Sequence, residues 1–233
     1  MLAGMIDHSL LHPTLRESKI LEGLTITRNH RAATACVRPY DVRMANEFLQ
    51  GYTSKVCAVA AFPHGNSTVE IKIAESLQCI EDGAAEIDIV CNIGKVLSKD
   101  WQAVENEISQ VNAAVVGKGA ILKVIFENDY LENEHIVRLT QICSDIGVAF
   151  VKTSTGYGFV KQPDGSYNYR GATDEHLKLM VTHAGPSTQV KAAGGIRTLD
   201  DLLRVRTLGV TRIGATATVA ILEEAKKRFP EQC

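Results

Sequence analysis

Five ionisable side chains stand within or at the ends of short apolar runs: Asp7 in MID, Asp88 in EIDIV, Lys123 in LKVIFE, Lys152 in FVKTSTGYG and Lys191 in QVKAA. A lysine on an apolar strand must either reach water or be held against a desolvation cost, and a strand lysine taken alone is most often exposed. Strand parity argues the other way, because alternate side chains point to opposite faces. Ile87 and Ile89 oppose Asp88, Leu122 and Val124 oppose Lys123, Val151 opposes Lys152, Val190 opposes Lys191, and Ile6 opposes Asp7. With the apolar faces against helices, all five charges turn to one interior. A compensated ion-pair network without chemistry would carry a desolvation cost with no return, whereas charged groups at the strand ends of an α/β barrel are where catalytic residues gather.

Lys152 sets the chemistry. A free lysine titrates near ~10.4 and is protonated at neutral pH. A second ammonium close by and partial desolvation both disfavour the charged form, and Lys191 on a neighbouring strand supplies the first. A neutral Lys152 amine attacks a carbonyl to form a Schiff base, whose iminium withdraws electrons so that C–C cleavage leaves an enamine. That is class I aldolase chemistry, with no metal and no cofactor. Proton transfers at the substrate hydroxyl and the carbinolamine need a group within hydrogen-bond reach; Asp88 is best placed, with Asp7 in support and Lys123 fixing or charging the relay. A second signal lies in AAGGIRT and RIGATAT, each a strand running into glycine and a helix start. Backbone N–H groups after the last two strands make the common phosphate site of a (β/α)8 barrel. Its candidates are Gly194, Gly195, Gly214, Ala215 and Thr216, with Gly156 adding donors.

The elements that must position these groups are read from alternation of short apolar runs with longer amphipathic segments, which marks βα units on a parallel sheet. Eight strands are expected: Gly4–Asp7, Ala32–Val37, Lys55–Phe62, Ala85–Val90, Ile121–Phe126, Ala149–Thr153, Gln189–Ala193 and Thr211–Gly214. Ser67, Thr68 and Glu70 signal one helix start and Thr173-Asp174-Glu175 another. Ile71, Ala74, Leu77 and Cys79–Ile80 are expected to face the sheet, as are Leu199, Leu202, Leu203 and Val205. Eight strands with eight helices in 233 residues predict a single-domain (β/α)8 TIM barrel over residues 1–233. The longest gap between strands, from Lys152 to Lys191, carries GFVKQPDGSYNYRG; its Pro163-Asp164-Gly165 turn predicts an inserted hairpin around 159–170 at the C-terminal face, as a lid or partner contact.

Scattered charges, Lys+Arg 25 against Asp+Glu 27, exclude a basic nucleic-acid or anionic-membrane surface and point to small-molecule partners. The single Trp101 and the tyrosines form no stacking pattern for nucleic acid. Six separated cysteines without a CxxC pair suit a reducing compartment; all but Cys233 read as core thiols, Cys36 and Cys57 as inert ones. The start lacks a basic leader and no window nears 18 apolar residues, so a cytoplasmic protein is expected. Of seven histidines only His8 and His12 share an i, i+4 spacing, followed by Pro13 and without a completing carboxylate, so no metal site is expected; His64 reads as a loop residue.

With these residues in place, the chain resembles the deoxyribose-phosphate aldolase family over nearly its whole length. IDHSLL, CVRP, VCAVAAFPHG, GAAEIDIVCNIG, LKVIFE, FVKTSTGYG, VKAAGGIRT and RIGAT occur in family order and spacing. The resemblance implies Lys152 as the Schiff-base lysine, Lys191 as the lysine that activates it, Asp88 as acid/base of the proton relay, and Asp7 at a matching aspartate position. It implies reversible cleavage of 2-deoxy-D-ribose 5-phosphate to acetaldehyde and D-glyceraldehyde 3-phosphate, by a homodimer. A Schiff-base aldolase of another phosphosugar and a non-catalytic sugar-phosphate binder are the alternatives; intact Lys152, Lys191 and Asp88 oppose the latter. Three departures stand out: TGYG plus the hairpin replaces a short TGF-type segment, FPEQC replaces a terminal tyrosine, and AAFPHG replaces a GFP-containing form near His64.

Overall fold

The computed structural model describes residues 2–230, so the end of FPEQC, with Cys233, lies outside the described residues. Eight parallel strands close into a barrel: β1 (Ile6–Leu10), β2 (Thr34–Val37), β3 (Lys55–Ala60), β4 (Glu86–Val90), β5 (Ile121–Ile125), β6 (Phe150–Lys152), then β9 (Gln189–Ala193) and β10 (Arg212–Ala215), which pairs with β1. Between β6 and β9 the chain makes an antiparallel pair outside the barrel, β7 (Val160–Lys161) and β8 (Tyr167–Asn168). The helical layer is α1 (Glu17–His30), α2 (Val42–Leu49), α3 (Val69–Glu81), α4 (Ile93–Leu97), α5 (Trp101–Val116), α6 (Asn133–Ile146), α7 (Asp174–His183), α8 (Leu199–Thr207) and α9 (Thr218–Arg228). Among the described residues no helix is long and apolar enough to cross a membrane.

Outward strand residues and inward helix stripes form the main core: Ile6, Ile87, Ile89, Leu122, Val124, Val151 and Ile213 are fully buried, against Ile108, Leu139, Leu177, Leu202 and Ile221. Local chemistry sets several ends. Thr173 caps α7 by accepting from the His176 N–H, and Thr198 with Asp201 forms a reciprocal capping box on α8.

Three expectations need correction. The first strand begins at Ile6, because Leu2–Met5 winds into a 3-10 turn and the paired register runs from Asp7 opposite Thr34 to Leu10 opposite Val37. Nine α-helices occur among the described residues, because β4 is followed by the short α4, capped by the Asn92 side chain on the Lys95 N–H, before α5. The buried stripe of α3 is Lys72, Ser76 and Cys79, while Ile71 (56% exposed) and Ala74 face solvent; Thr68 precedes this helix without a side-chain cap bond. The cause is a buried ion pair. Lys72 Nζ lies 2.9 Å from the Glu107 carboxylate of α5 and donates to the Val90 carbonyl (2.8 Å), and Glu107 also accepts from the Asn92 N–H (3.0 Å). A satisfied ammonium turns inward, which rotates the helix away from the phase that its apolar residues suggest.

Candidate active site

The barrel interior holds the charged side chains in two layers. Register sets Asp88 opposite Lys123 across β4–β5 and Lys152 opposite Lys191 across β6–β9. One oxygen of Asp88 receives both Lys152 Nζ (2.9 Å) and Lys191 Nζ (2.8 Å); the other receives Lys123 Nζ (2.7 Å) and the Cys57 thiol (3.2 Å). Asp7 receives Lys191 Nζ at 2.5 Å, the Thr34 hydroxyl at 2.8 Å and an Arg212 nitrogen at 2.7 Å. Lower in the barrel, Glu86 is bonded by Lys123 (2.7 Å) and Arg212 (3.1 Å), and the guanidinium rests on the Phe150 ring at 5.2 Å. The five predicted residues therefore form one network, joined by Arg212 and Glu86.

Charges in this network do not cancel. Asp7, Glu86 and Asp88 face Lys123, Lys152, Lys191 and Arg212, one cation more than anions when all are ionised. Burial alone would raise the carboxyls of Asp7 and Asp88, but the surrounding lysines outweigh it and hold both below the ordinary carboxylate range. Burial would likewise lower the Lys191 ammonium, yet Asp7 and Asp88 hold it above the ordinary lysine range. Lys191 thus remains a fixed positive neighbour. Lys123 has carboxylate contacts to Asp88, Glu86 and, at 3.9 Å, Asp7, and Lys191 has two; Lys152 has one, on an oxygen it shares with Lys191.

Above this floor a cavity of about 190 Å³ is lined by Lys152, Lys191, Asp7 and Cys36 below and by the glycine turns above. All six residues expected at the phosphate end, Gly156, Gly194, Gly195, Gly214, Ala215 and Thr216, line it. Gly194 and Gly195 follow each other in the left-handed region (φ 88° and 84°), a conformation that favours glycine. The Asp201 carboxylate accepts from the Arg197 and Thr198 N–H groups at 3.0 Å, which ties this turn to the first turn of α8. Asp88 and Lys123 lie beneath the floor, outside the lining.

The sequence reading missed several neighbours. Cys36 lines the cavity and Cys57 donates to Asp88 and accepts from Lys123 (3.2 Å), so these thiols are buried but belong to the polar interior, facing inward as register partners on β2 and β3. Glu86 shares the inward face of EIDIV with Asp88 by strand parity, yet neither it nor Arg212 in RIG stands among the expected site residues. Glu127, in the left-handed region (φ 60°), accepts from the Thr155 N–H (3.2 Å) and hydroxyl and so shapes the turn that carries Gly156; burial pushes its carboxyl up, against those bonds. Tyr157, Tyr169 and Arg197 also line the cavity, and nothing local in the chain marks them.

Cys36, Cys57 and Asp88 offer ligand atoms within 4.8 Å of one another, the one such triplet among the described residues. Three ammonium groups already bond its carboxylate, so the electrostatics there oppose a cation. The spacing of His8 and His12 makes no pair: His8 faces outward and bonds the Thr218 hydroxyl of α9 (2.8 Å), while His12 bonds Thr14 (2.7 Å) in the loop after β1.

Comparison with known proteins places this geometry. Residues 3–221 match the model of the DeoC/LacD family aldolase. The chain is 45% identical over 225 residues to a deoxyribose-phosphate aldolase of Rhodopirellula baltica, covering 97% of this chain and 89% of the relative. It is 40% identical to one from Treponema denticola, with 93% and 96% covered. Among solved structures it superposes on QR15, an aldolase, with a TM-score of 0.87 at 33% identity, covering 97% of this chain and 96% of that one. A tetrameric deoxyribose phosphate aldolase from Aeropyrum pernix gives a TM-score of 0.85 at 28% identity, covering 97% and 92%. With its lysines on one aspartate in a closed (β/α)8 barrel, the chain belongs to the DeoC/LacD family of aldolases.

Proposed function

We propose that this protein reversibly cleaves 2-deoxy-D-ribose 5-phosphate to acetaldehyde and D-glyceraldehyde 3-phosphate, with Lys152 as the Schiff-base nucleophile. The observation that carries the reading is Lys152 itself: a lysine 3% exposed, lining a cavity that the glycine turns also line, held by a single carboxylate contact and beside the charged Lys191. Of the three interior lysines, Lys152 makes the fewest carboxylate contacts, one against two for Lys191 and three for Lys123. Its nitrogen attacks C1 of the open-chain sugar; the carbinolamine loses water to an iminium. Removal of the C3 hydroxyl proton then drives the C2–C3 electron pair into the iminium, releasing glyceraldehyde 3-phosphate and leaving an enamine. Protonation at C2 and hydrolysis give acetaldehyde and free Lys152.

Because Asp88 lies beneath the cavity and contacts both lysines, its relay role runs through their ammonium groups, with Asp7 fixing Lys191 and Lys123 anchoring Asp88. The glycine turns hold the 5-phosphate through backbone N–H groups. The five buried free thiols among the described residues suit a cytoplasmic setting, and the resemblance favours a homodimer.

Borohydride reduction in the presence of acetaldehyde tests the nucleophile. A stable ethyl group on Lys152, located by peptide mass, is the expected result; an unmodified Lys152 sinks the Schiff-base assignment. Retro-aldol rates with 2-deoxyribose 5-phosphate and with 2-deoxyribose test the phosphate site, and equal kcat/KM on the two removes it.

A further inference from the structure

The segment that carries the hairpin between β6 and β9 is fastened to the proposed phosphate end. Its return arm is held by Asp129, whose carboxylate accepts from the Arg170 N–H (2.7 Å) and the Gly171 N–H (2.9 Å), and the Ala172 N–H donates to the Gly194 carbonyl (3.1 Å). Gly171 approaches Gly194 so closely that a Cβ on it would stand 2.6 Å from the Gly194 carbonyl oxygen. The hairpin is therefore a seated wall, sealed against one of the glycine turns.

One side chain of this wall turns inward. Tyr169 is half-buried and lines the cavity, while Tyr167, Asn168 and Arg170 around it are exposed. Its ring packs edge-on against Phe159 (centroids 5.4 Å apart, 88°), and the Phe159 carbonyl accepts from the Tyr130 hydroxyl (3.3 Å) in the turn after β5. The ring's Cε2, adjacent to the carbon that bears the hydroxyl, lies 3.4 Å from the Cβ position of Gly194. The phenol end of the ring thus lies beside the Gly194 turn. Tyr157, seated edge-on against Phe62 at 5.6 Å, also lines this cavity.

We propose that Tyr169 is a specificity-determining residue, whose phenol hydroxyl donates to the substrate phosphate at the Gly194-Gly195 turn. The hairpin thereby adds a side-chain donor beside the backbone N–H groups of the glycine turns. The proposal rests on the aldolase reading with a phosphorylated sugar. A tyrosine donor packed on Phe159, whose carbonyl is tied to Tyr130, is ordered before substrate arrives, so little freedom is lost on binding.

Tyr169→Phe removes the hydroxyl and keeps the ring. It is expected to raise KM for 2-deoxyribose 5-phosphate and Kd for inorganic phosphate roughly tenfold, the effect of one hydrogen bond to a charged group. It leaves kcat/KM for 2-deoxyribose within about twofold, and ethylation of Lys152 by acetaldehyde and borohydride at the wild-type level. Tyr167→Phe, on the exposed part of the same hairpin, stays at wild-type values throughout. An unchanged phosphate Kd in Tyr169→Phe overturns the proposal, as does an equal loss on both sugars, which would make the ring a structural wall. Absence of Lys152 ethylation in the wild type overturns the aldolase reading alone, and the phosphate titration still decides the role of Tyr169.

Discussion

Asp88 is the residue through which the interior is organised, since Lys123, Lys152, Lys191 and Cys57 all bond its two oxygens. Its carboxyl sits below the ordinary range because three ammoniums outweigh its burial, so it is a weak base by itself and acts by distributing protons among the lysines. Asp88→Asn keeps the shape and removes the charge. It is expected to lower retro-aldol kcat by about 10²–10⁴-fold, the usual worth of a positioned acid/base, measured at saturating 2-deoxyribose 5-phosphate. A rate within a few-fold of wild type would assign proton transfer elsewhere in the cluster. Parity alone revealed that these charges share an interior; which oxygen each lysine touches followed from cross-strand register, which no single strand carries.

The buried pair of Lys72 on α3 and Glu107 on α5 joins two helices to the end of β4, the strand that carries Asp88. Burial raises the Glu107 carboxyl while the Lys72 charge opposes that rise. Lys72→Met leaves Glu107 buried without its cation and is expected to destabilise the protein by about 3–5 kcal/mol, while Lys72→Met with Glu107→Leu recovers most of that loss. Urea denaturation of the two variants checks this; a single variant as stable as wild type would show that the pair is dispensable. The same pair explains why the α3 face was misread: helical periodicity counts apolar residues, and here a lysine occupies the buried stripe because its partner lies on another helix.

Closure of the whole barrel joins β1 to β10, and His8 on β1 bonds Thr218 at the start of the last helix. Burial first, and the nearby His30 second, hold His8 down at about 4, against about 6.5 for a free histidine. A depressed value means that the unfolded chain binds the proton more readily than the folded one. The contribution of His8 is therefore complete above about pH 6.5 and is lost as pH falls through about 4. Asp7 and Asp88, also depressed, add a further loss below the ordinary carboxylate range, where the unfolded carboxyls protonate first. Tm followed by circular dichroism is expected to fall between pH 6.5 and 4 in the wild type and to be flatter over that window in His8→Asn; parallel curves for the two would remove His8 from the account.

Sequence by itself determined the barrel, the inward set Asp7, Asp88, Lys123, Lys152 and Lys191, and the glycine turns after β9 and β10, because strand parity, βα alternation and strand-to-glycine transitions are all local patterns. Tertiary structure alone decided how Arg212 and Glu86 tie the carboxylates and lysines together, and that Cys36 and Cys57 face the polar interior. It also decided that Lys72 is buried and that Tyr169 reaches the cavity. Each of these depends on groups far apart in the chain meeting across a closed barrel or an inserted hairpin, where a charge is tolerated or a ring is aimed only because of what stands opposite it.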